Sequence, residues 1–272
     1  MAIRTDYHLH SSFSGDSEEP MEESIKRGIQ LGLTHMCFTE HMDLDFPEGE
    51  DVTAETFLLN TDSYLFDLVK FREKYEGKIR LLFGVELGLQ PHLKRELASY
   101  VKAWDFDFII GSSHVCNRRD PYYASFYEGR SEEEAYREYF ASILDNIKAF
   151  SDFDVYGHLD YVVRYGPSKD RNYTYDKYKD ILDAVLQLLI DKGKGIEINT
   201  SGLRSGLKEP NPCTGILKRY RQLGGEIITV GSDAHRREDI AFCFDEAREI
   251  LLACGFKYYT IFEKRYPEFK KL

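Results

Sequence analysis

Short apolar runs that end in imidazole or carboxylate recur along this chain. IRTDYHLH closes on His8 and His10, THMCFTEH on His41, GVE on Glu86, FDFIIGSSH on His114, FDVYGH on His158 and EIITVGSDAH on Asp233 and His235. Burying that many polar ends is costly unless they share a partner. β-type runs fall near residues 3–8, 34–40, 79–86, 106–113, 153–158, 195–199 and 226–232. Helical patterns lie between and after them, over 21–31, 63–74, 91–103, 132–150, 175–192, 215–223 and 238–254, several ending at glycine. Regular strand–helix alternation predicts a parallel sheet with right-handed crossovers. An open sheet gathers its ligands at one switch point, whereas a barrel brings every strand end to one mouth. Six of the seven runs end in candidate ligands, which favours an α/β fold: a distorted TIM-like (β/α)7 barrel with a metal site at the C-terminal mouth of its strands.

The 272 residues, 42% of them hydrophobic, suffice for one such barrel, so a single domain over 1–272 is expected. No linker, repeat or low-complexity stretch interrupts the series, and KYYTIFEKRYPEFKKL at the end reads equally as a last strand or a surface segment. No stretch approaches the roughly 20 apolar residues that cross a bilayer, and MAIRTDYHLH lacks the apolar core of a signal peptide. A cytoplasmic protein without a membrane partner is expected. Five cysteines without a CxxC pair point to reduced, packed thiols. A formal charge of −11 gives extended nucleic-acid binding no support. A small anion is compatible, because bound divalent cations reverse the local potential. No GxGxxG or GxxxxGK[ST] loop is present, which weakens nucleotide-binding readings.

Side chains two apart on a strand share a face, so His8 with His10, and Asp233 with His235, can each point at one ion. His41, His114 and His158 add single imidazoles at strand ends, and Glu86 is a carboxylate whose burial demands a cation. Asp16, in the loop SSFSGDSEEP, serves equally as a ligand or as the cap of the first helix. His35 opens a strand, at the face given to stability, and His92 follows Pro91 at a helix start; both are left outside the site. Imidazole and carboxylate ligands together suit zinc, iron or manganese.

In order and spacing these segments resemble the motifs of the polymerase and histidinol phosphatase (PHP) family, and within it the monofunctional histidinol-phosphate phosphatases. DYHLHSSFSGD matches the first motif, FTEH the second, GVELG and GSSH the middle ones, GHLDYVVRYG the next and GSDAH the last. The resemblance spans nearly the whole chain and implies two or three divalent ions. It implies a first ion on His8, His10, Glu86 and Asp233. Glu86 would bridge to a second on His114 and His158, and Asp16, His41 and His235 would hold a third. Some members carry histidine at the position of Asp16.

Such a cluster lowers the pKa of a bound water and neutralises phosphoryl oxygens, which is most of what phosphoryl transfer requires. Asp160 and Glu40 are candidates for proton transfer or for orienting imidazoles. Arg164 and Arg204 follow the fifth and sixth strands and can fork onto phosphate, and Asn199 can hydrogen-bond a substrate. Arg118, Arg119, Arg236 and Arg237 are weaker candidates on the same rim. The resemblance implies hydrolysis of L-histidinol phosphate, a small phosphorylated metabolite, in histidine biosynthesis. The other readings are a phosphoesterase for another small phosphate, a 3′–5′ exonuclease, an amidohydrolase, and a non-catalytic metal-binding scaffold.

Overall fold

The structure is a computed structural model that describes residues 2–49 and 51–272. Seven strands form one sheet in chain order, every neighbouring pair parallel: β1 (Thr5–Leu9), β2 (His35–Met42), β3 (Arg80–Gly88), β4 (Phe108–Ser112), β5 (Val155–Tyr156), β6 (Gly195–Asn199) and β7 (Ile228–Gly231). Parallel neighbours need crossovers, and these contain α1 (Met21–Gln30), α2 (Thr61–Lys74), α3 (Lys94–Ala103), α4 (Glu132–Ala149), α5 (Lys179–Asp191), the one-turn α6 (Ser201–Arg204) and α7 (Thr214–Gln222). α8 (Phe244–Ala253) follows β7. The seven-stranded TIM-like barrel expected from the alternation is the observed architecture.

The strands read as continuous apolar runs because both faces are covered: β3 is buried at every position after Arg80. Local signals set the helices between them. Asn60 accepts from the Ser63 amide to start α2, and Ser131 with Glu134 forms a capping box that starts α4.

Closure between β7 and β1 is irregular, which is the distortion. Leu9 bridges Ala234, the His10 amide donates to the Ala234 carbonyl (2.9 Å) and the Asp233 amide to that of His8 (2.8 Å). Below these the buried Asp6 carboxylate accepts from the Ser232 amide (3.0 Å), the Ser232 hydroxyl (2.6 Å) and the Ala241 amide (3.0 Å). One side chain thereby ties β1 to the segment after β7.

The C-terminal tail is an antiparallel hairpin, β8 (Tyr258–Glu263) and β9 (Tyr266–Lys271), separate from the barrel sheet. It packs under the barrel: the Tyr7 hydroxyl donates to the Phe262 carbonyl (2.8 Å), and Phe108 lies 5.2 Å from both the Tyr7 and Phe262 rings. The aromatic plug leaves the C-terminal mouth as the open end.

Several expected elements are shorter. β5 is two residues, not six, and the helices expected from 91, 175 and 238 begin with single 3-10 turns. Before α8 the chain turns through Ala241 and Cys243, both with positive φ, which breaks a continuous helix from 238. Among the described residues no helix is long and apolar enough to cross a membrane, and all five cysteines are free thiols.

Candidate metal centre

β1 carries one residue more than its partner: Asp6 pairs with Met36 but Leu9 with Phe38. The extra residue lets Tyr7 reach the plug while the His8 ring turns to Glu197 on β6 and Glu86 on β3. Gly231 makes room for it, since a Cβ there would lie 2.4 Å from that of His8. The β2–β3 register sets His41 beside Glu86. Asp233 takes a positive φ of 53° at the end of β7, a strained turn that brings Asp233 and His235 to the same cluster.

Outer partners fix which nitrogen of each ring faces inward. His8 Nδ1 lies 2.9 Å from Glu197 Oε2 and His114 Nδ1 2.8 Å from Asp43 Oδ1. His235 Nδ1 lies 3.1 Å from the Asp233 carbonyl. His10 Nδ1 lies 3.0 Å from Ser14 Oγ, whose own proton goes to Glu40 Oε2 at 2.6 Å. All four partners accept, so Nδ1 carries the proton and Nε2 presents a lone pair to the centre. Ligating imidazoles are oriented in this way.

At that centre is Glu86, without solvent exposure. Its Oε2 lies 3.2 Å from His8 Nε2, 3.5 Å from His10 Nε2 and 3.1 Å from His41 Nδ1. Its Oε1 lies 3.2 Å from His114 Nε2, 2.9 Å from His158 Nε2 and 2.6 Å from the Ser112 hydroxyl. Asp233 Oδ1 is 3.6 Å from His8 Nε2 and 3.5 Å from His10 Nε2, and Asp16 Oδ2 is 3.5 Å from His41 and 3.1 Å from His235. Although close, several of these buried atoms are misaligned for hydrogen bonds and have no such partner: Nε2 of His8, His10 and His235, Nδ1 of His41 and Glu86 Oε2.

Four groups have ligand atoms close enough together to share an ion: His8, His10 and Asp233; His8, Glu86 and His158; His41, Glu86 and His114; and His10, His41 and His235. Lone pairs converging on a buried carboxylate are the donor set that divalent cations fill, so the residues fit several such ions. All nine residues expected at the mouth meet in one cluster. Asp16 faces His41 and His235, and α1 starts instead after Pro20.

Against burial, which would raise it, His8, His114 and His41 hold the Glu86 carboxyl well below its usual range. His8, His41 and His114 move the other way: burial opposes protonation, but the facing carboxylates raise them well above 6.5. His10, buried beside His41 and His235, is pushed well below 6.5. In the metal-free chain, protons hold the balance that cations would provide.

Over the cluster lies a cavity of about 520 Å³, lined on the metal side by Asp16, His41, His114, His158, Asp233 and His235, and on its walls by Arg164, Asp120 and aromatic side chains. Arg164 donates to Asp233 Oδ2 (3.1 Å), Asn199 Oδ1 (3.2 Å) and Asn211 Oδ1 (2.7 Å), so two of its five N–H donors remain for an anion. The other expected substrate residues sit behind the wall. Asn199 is fully buried: its oxygen accepts from Arg164 and Ser201 and its amide faces Glu197 and Asp233. Arg204 spends its fork on the carbonyls of Ser232 (3.2 Å) and Asp233 (2.9 Å). Asp160 turns to Asn211 (2.5 Å) and the Cys213 amide (2.9 Å), not to the cavity, and Glu40 is held by Ser11 and Ser14. His35 lies beside Thr34 at the start of β2, and His92 pairs with Asp45 on the surface.

Sequence reading missed Asp43 and Glu197. Asp43 stands two residues after His41 and shares its face, a legible signal, and Gly88 admits it, since a Cβ there would meet its carboxylate at 2.0 Å. Glu197 interrupts the apolar GIEIN, and its partner on β1 is 189 residues away.

The PHP domain model matches residues 6–201. A histidinol-phosphatase of Lactococcus lactis subsp. lactis is 35% identical over 254 residues, covering 93% of this chain and 92% of that protein. A "Probable histidinol-phosphatase" of Clostridium acetobutylicum is 33% identical over 264 residues, covering 96% and 97%. The crystal structure of the Lactococcus lactis histidinol phosphate phosphatase, in complex with zinc, L-histidinol and phosphate, superposes with a TM-score of 0.88 at 32% identity, covering 97% and 98%. Since the family model spans well over half its residues and these relatives match end to end, the chain belongs to the PHP domain family.

Proposed function

We propose that this protein is a metal-dependent phosphomonoesterase that hydrolyses L-histidinol phosphate to L-histidinol and phosphate in histidine biosynthesis. The observation that carries the reading is Glu86, a buried carboxylate among five imidazoles at the floor of an open cavity that an arginine lines. Its full-length similarity to a phosphatase crystallised with zinc, L-histidinol and phosphate supports the choice of substrate.

His8, His10, Asp16, His41, Glu86, His114, His158, Asp233 and His235 would hold two or three divalent ions, zinc, iron or manganese. When bound, such ions activate water at neutral pH and neutralise charge on the phosphoryl oxygens. The remaining work belongs to the chain. Arg164, braced by Asn199, Asn211 and Asp233, offers its two remaining donors to a phosphate oxygen. Glu197, Asp43 and the Glu40–Ser14 pair hold the imidazoles in their ligating tautomers. Asn199, Asp160 and Arg204 act as positioning residues: Asp160 holds Asn211, which holds Arg164, and Arg204 holds the end of β7. Residues 1–272 are read as one domain, working in the cytoplasm.

Phosphate release from L-histidinol phosphate, p-nitrophenyl phosphate and single-stranded DNA, measured side by side on metal-loaded protein, tests this. The expected result is strong preference for L-histidinol phosphate. Preference for DNA, or full metal loading without hydrolysis of any ester, would replace the reading with the exonuclease or the scaffold.

A further inference from the structure

The connection from β2 to α2, residues 43–60, is long for a segment that has no helix or strand among its described residues, and loops of that length commonly serve function. Its ends are tied together. The Asp43 amide donates to the Phe57 carbonyl at 2.9 Å, and the Phe46 and Phe57 rings pack 4.7 Å apart within it. Such a loop is a compact unit with a small core of its own. It folds inward over the metal cluster, where Phe46, Asp51, Val52 and Phe57 line the cavity.

Two contacts carry it across to the segment between β4 and α4. Near its base Asp45 Oδ2 lies 2.8 Å from His92 Nε2 and 3.8 Å from Arg118, while Gln90 donates to the carbonyls of Leu44 (3.0 Å) and Asp45 (3.2 Å). At its tip the Gly49 amide donates to the Val52 carbonyl (2.9 Å), and the backbone approaches Tyr123 so closely that a Cβ on Gly49 would stand 2.5 Å from the tyrosine hydroxyl. Ring contacts continue from Tyr123 to Tyr122 and from Tyr122 to Tyr165, each at 5.2 Å. The loop tip and these rings make a continuous rim along one side of the cavity. Because the Asp45–Arg118 pair is exposed and screened by water, the rim acts through shape more than through charge.

A phosphate held at the metal cluster leaves the rest of its ester in this cavity, whose volume of about 520 Å³ is that of a small-molecule site. A leaving group that ends inside passes beneath the rim, whereas one that continues as a chain has to displace it. We propose that the bridge between Gly49 and Tyr123 is a size filter, which confines the reaction to monoesters of small alcohols and excludes phosphates carried on a polymer chain. This rests on the phosphomonoesterase reading and deepens it. The competing role is loop order alone, which would weaken turnover of small and large esters alike when the bridge is opened.

The experiment uses the metal-loaded full chain as wild type, Tyr123→Ala and Gly49→Val. The two variants open the contact from opposite sides, so one that fails to fold leaves the other to decide, with metal content and Tm as controls. kcat/KM is measured for N-acetyl-phosphotyrosine amide and for a ten-residue peptide containing phosphotyrosine, which present the same ester at different size. The filter predicts that the wild type favours the small ester by about 100-fold or more and that each variant cuts this preference to about 10-fold or less. A wild type that treats both esters alike, or variants that lose activity on both in proportion, would overturn the assignment. If the wild type hydrolyses L-histidinol phosphate but neither tyrosine ester, their inhibition constants against it give the same comparison. If it hydrolyses no ester, the phosphatase reading fails by itself, and calorimetric binding of the two tyrosine esters still decides the filter.

Discussion

Replacing Glu197 by Gln tests how the imidazoles are held. Glu197 is 1% exposed and accepts three donors: His8 Nδ1 at 2.9 Å, the His158 amide at 2.6 Å and the Asn199 amide at 3.0 Å. Glutamine has almost the same shape but only one accepting oxygen. If that oxygen keeps the two donors now on Oε1, the new amide faces His8 Nδ1. Donor then opposes donor, and His8 escapes only by moving its proton to Nε2, the nitrogen that faces Glu86 and Asp233. The lone pair turns away from the centre. Losing one hydrogen bond to a charged group costs about 1.5–3 kcal/mol. Changes in the groups that orient ligands typically lower metal affinity or activity by about 10- to 100-fold, which is about 1.4–2.7 kcal/mol. Competition with a chromogenic chelator near neutral pH reads the affinity, and nitrogen NMR of the metal-free protein, at a pH above that at which the His8 ring becomes neutral, reads the tautomer. E197Q should bind metal about 10- to 100-fold more weakly, with the His8 proton on Nε2. Wild-type affinity with the proton still on Nδ1 would refute the reasoning.

Other outcomes follow from the same geometry. Glu86→Gln removes the charge on which five imidazoles converge, so turnover should fall to background and bound metal should drop while unfolding stays cooperative; metal analysis with calorimetric unfolding checks both. In the metal-free chain His8, His41 and His114 are raised above 6.5, so their stabilising contribution is complete below that value and lost as pH rises through their folded values. Metal needs those rings deprotonated, so the difference in Tm between loaded and chelated protein should widen from mildly acidic to mildly alkaline pH, and a flat or narrowing difference contradicts this. Asp6→Ala leaves the buried Ser232 amide and the partly buried Ala241 amide without their acceptor, and at about 1–3 kcal/mol for the buried donor and less for the other should cost roughly 2–4 kcal/mol in denaturant unfolding.

What the sequence reveals follows from how local each constraint is. Strand ends were legible because apolar runs that stop at His41, Glu86 or His114 are written in consecutive residues, and closure followed from six such ends needing one meeting place. The hairpin was not, because KYYTIFEKRYPEFKKL has strand character with no local sign of where it docks; the Tyr7 hydroxyl and the Phe108 ring decide that, far away in the chain. Asn199 ends β6 and Arg204 follows it, as cavity residues should, yet their polar atoms are spent inside the wall, and only neighbours such as Ser201, Ser232 and Asp233 reveal it. Asp160 is two residues from His158 but faces Asn211, because the chain turns into a 3-10 segment directly after it. Glu197 and Asp43 escaped notice for one reason: an acidic residue acquires meaning only from the donor opposite it, here the His8 and His114 rings.

The central claim is that imidazoles and carboxylates from separate strand ends form one cage for several cations. Anomalous diffraction from crystals of zinc-loaded protein, recorded on both sides of the zinc edge, tests it most directly. The account predicts two or three peaks around Glu86, within bonding distance of His8, His10, His41, His114, His158, Asp233 and His235. Peaks confined to surface histidines such as His92, with none beside Glu86, would contradict it.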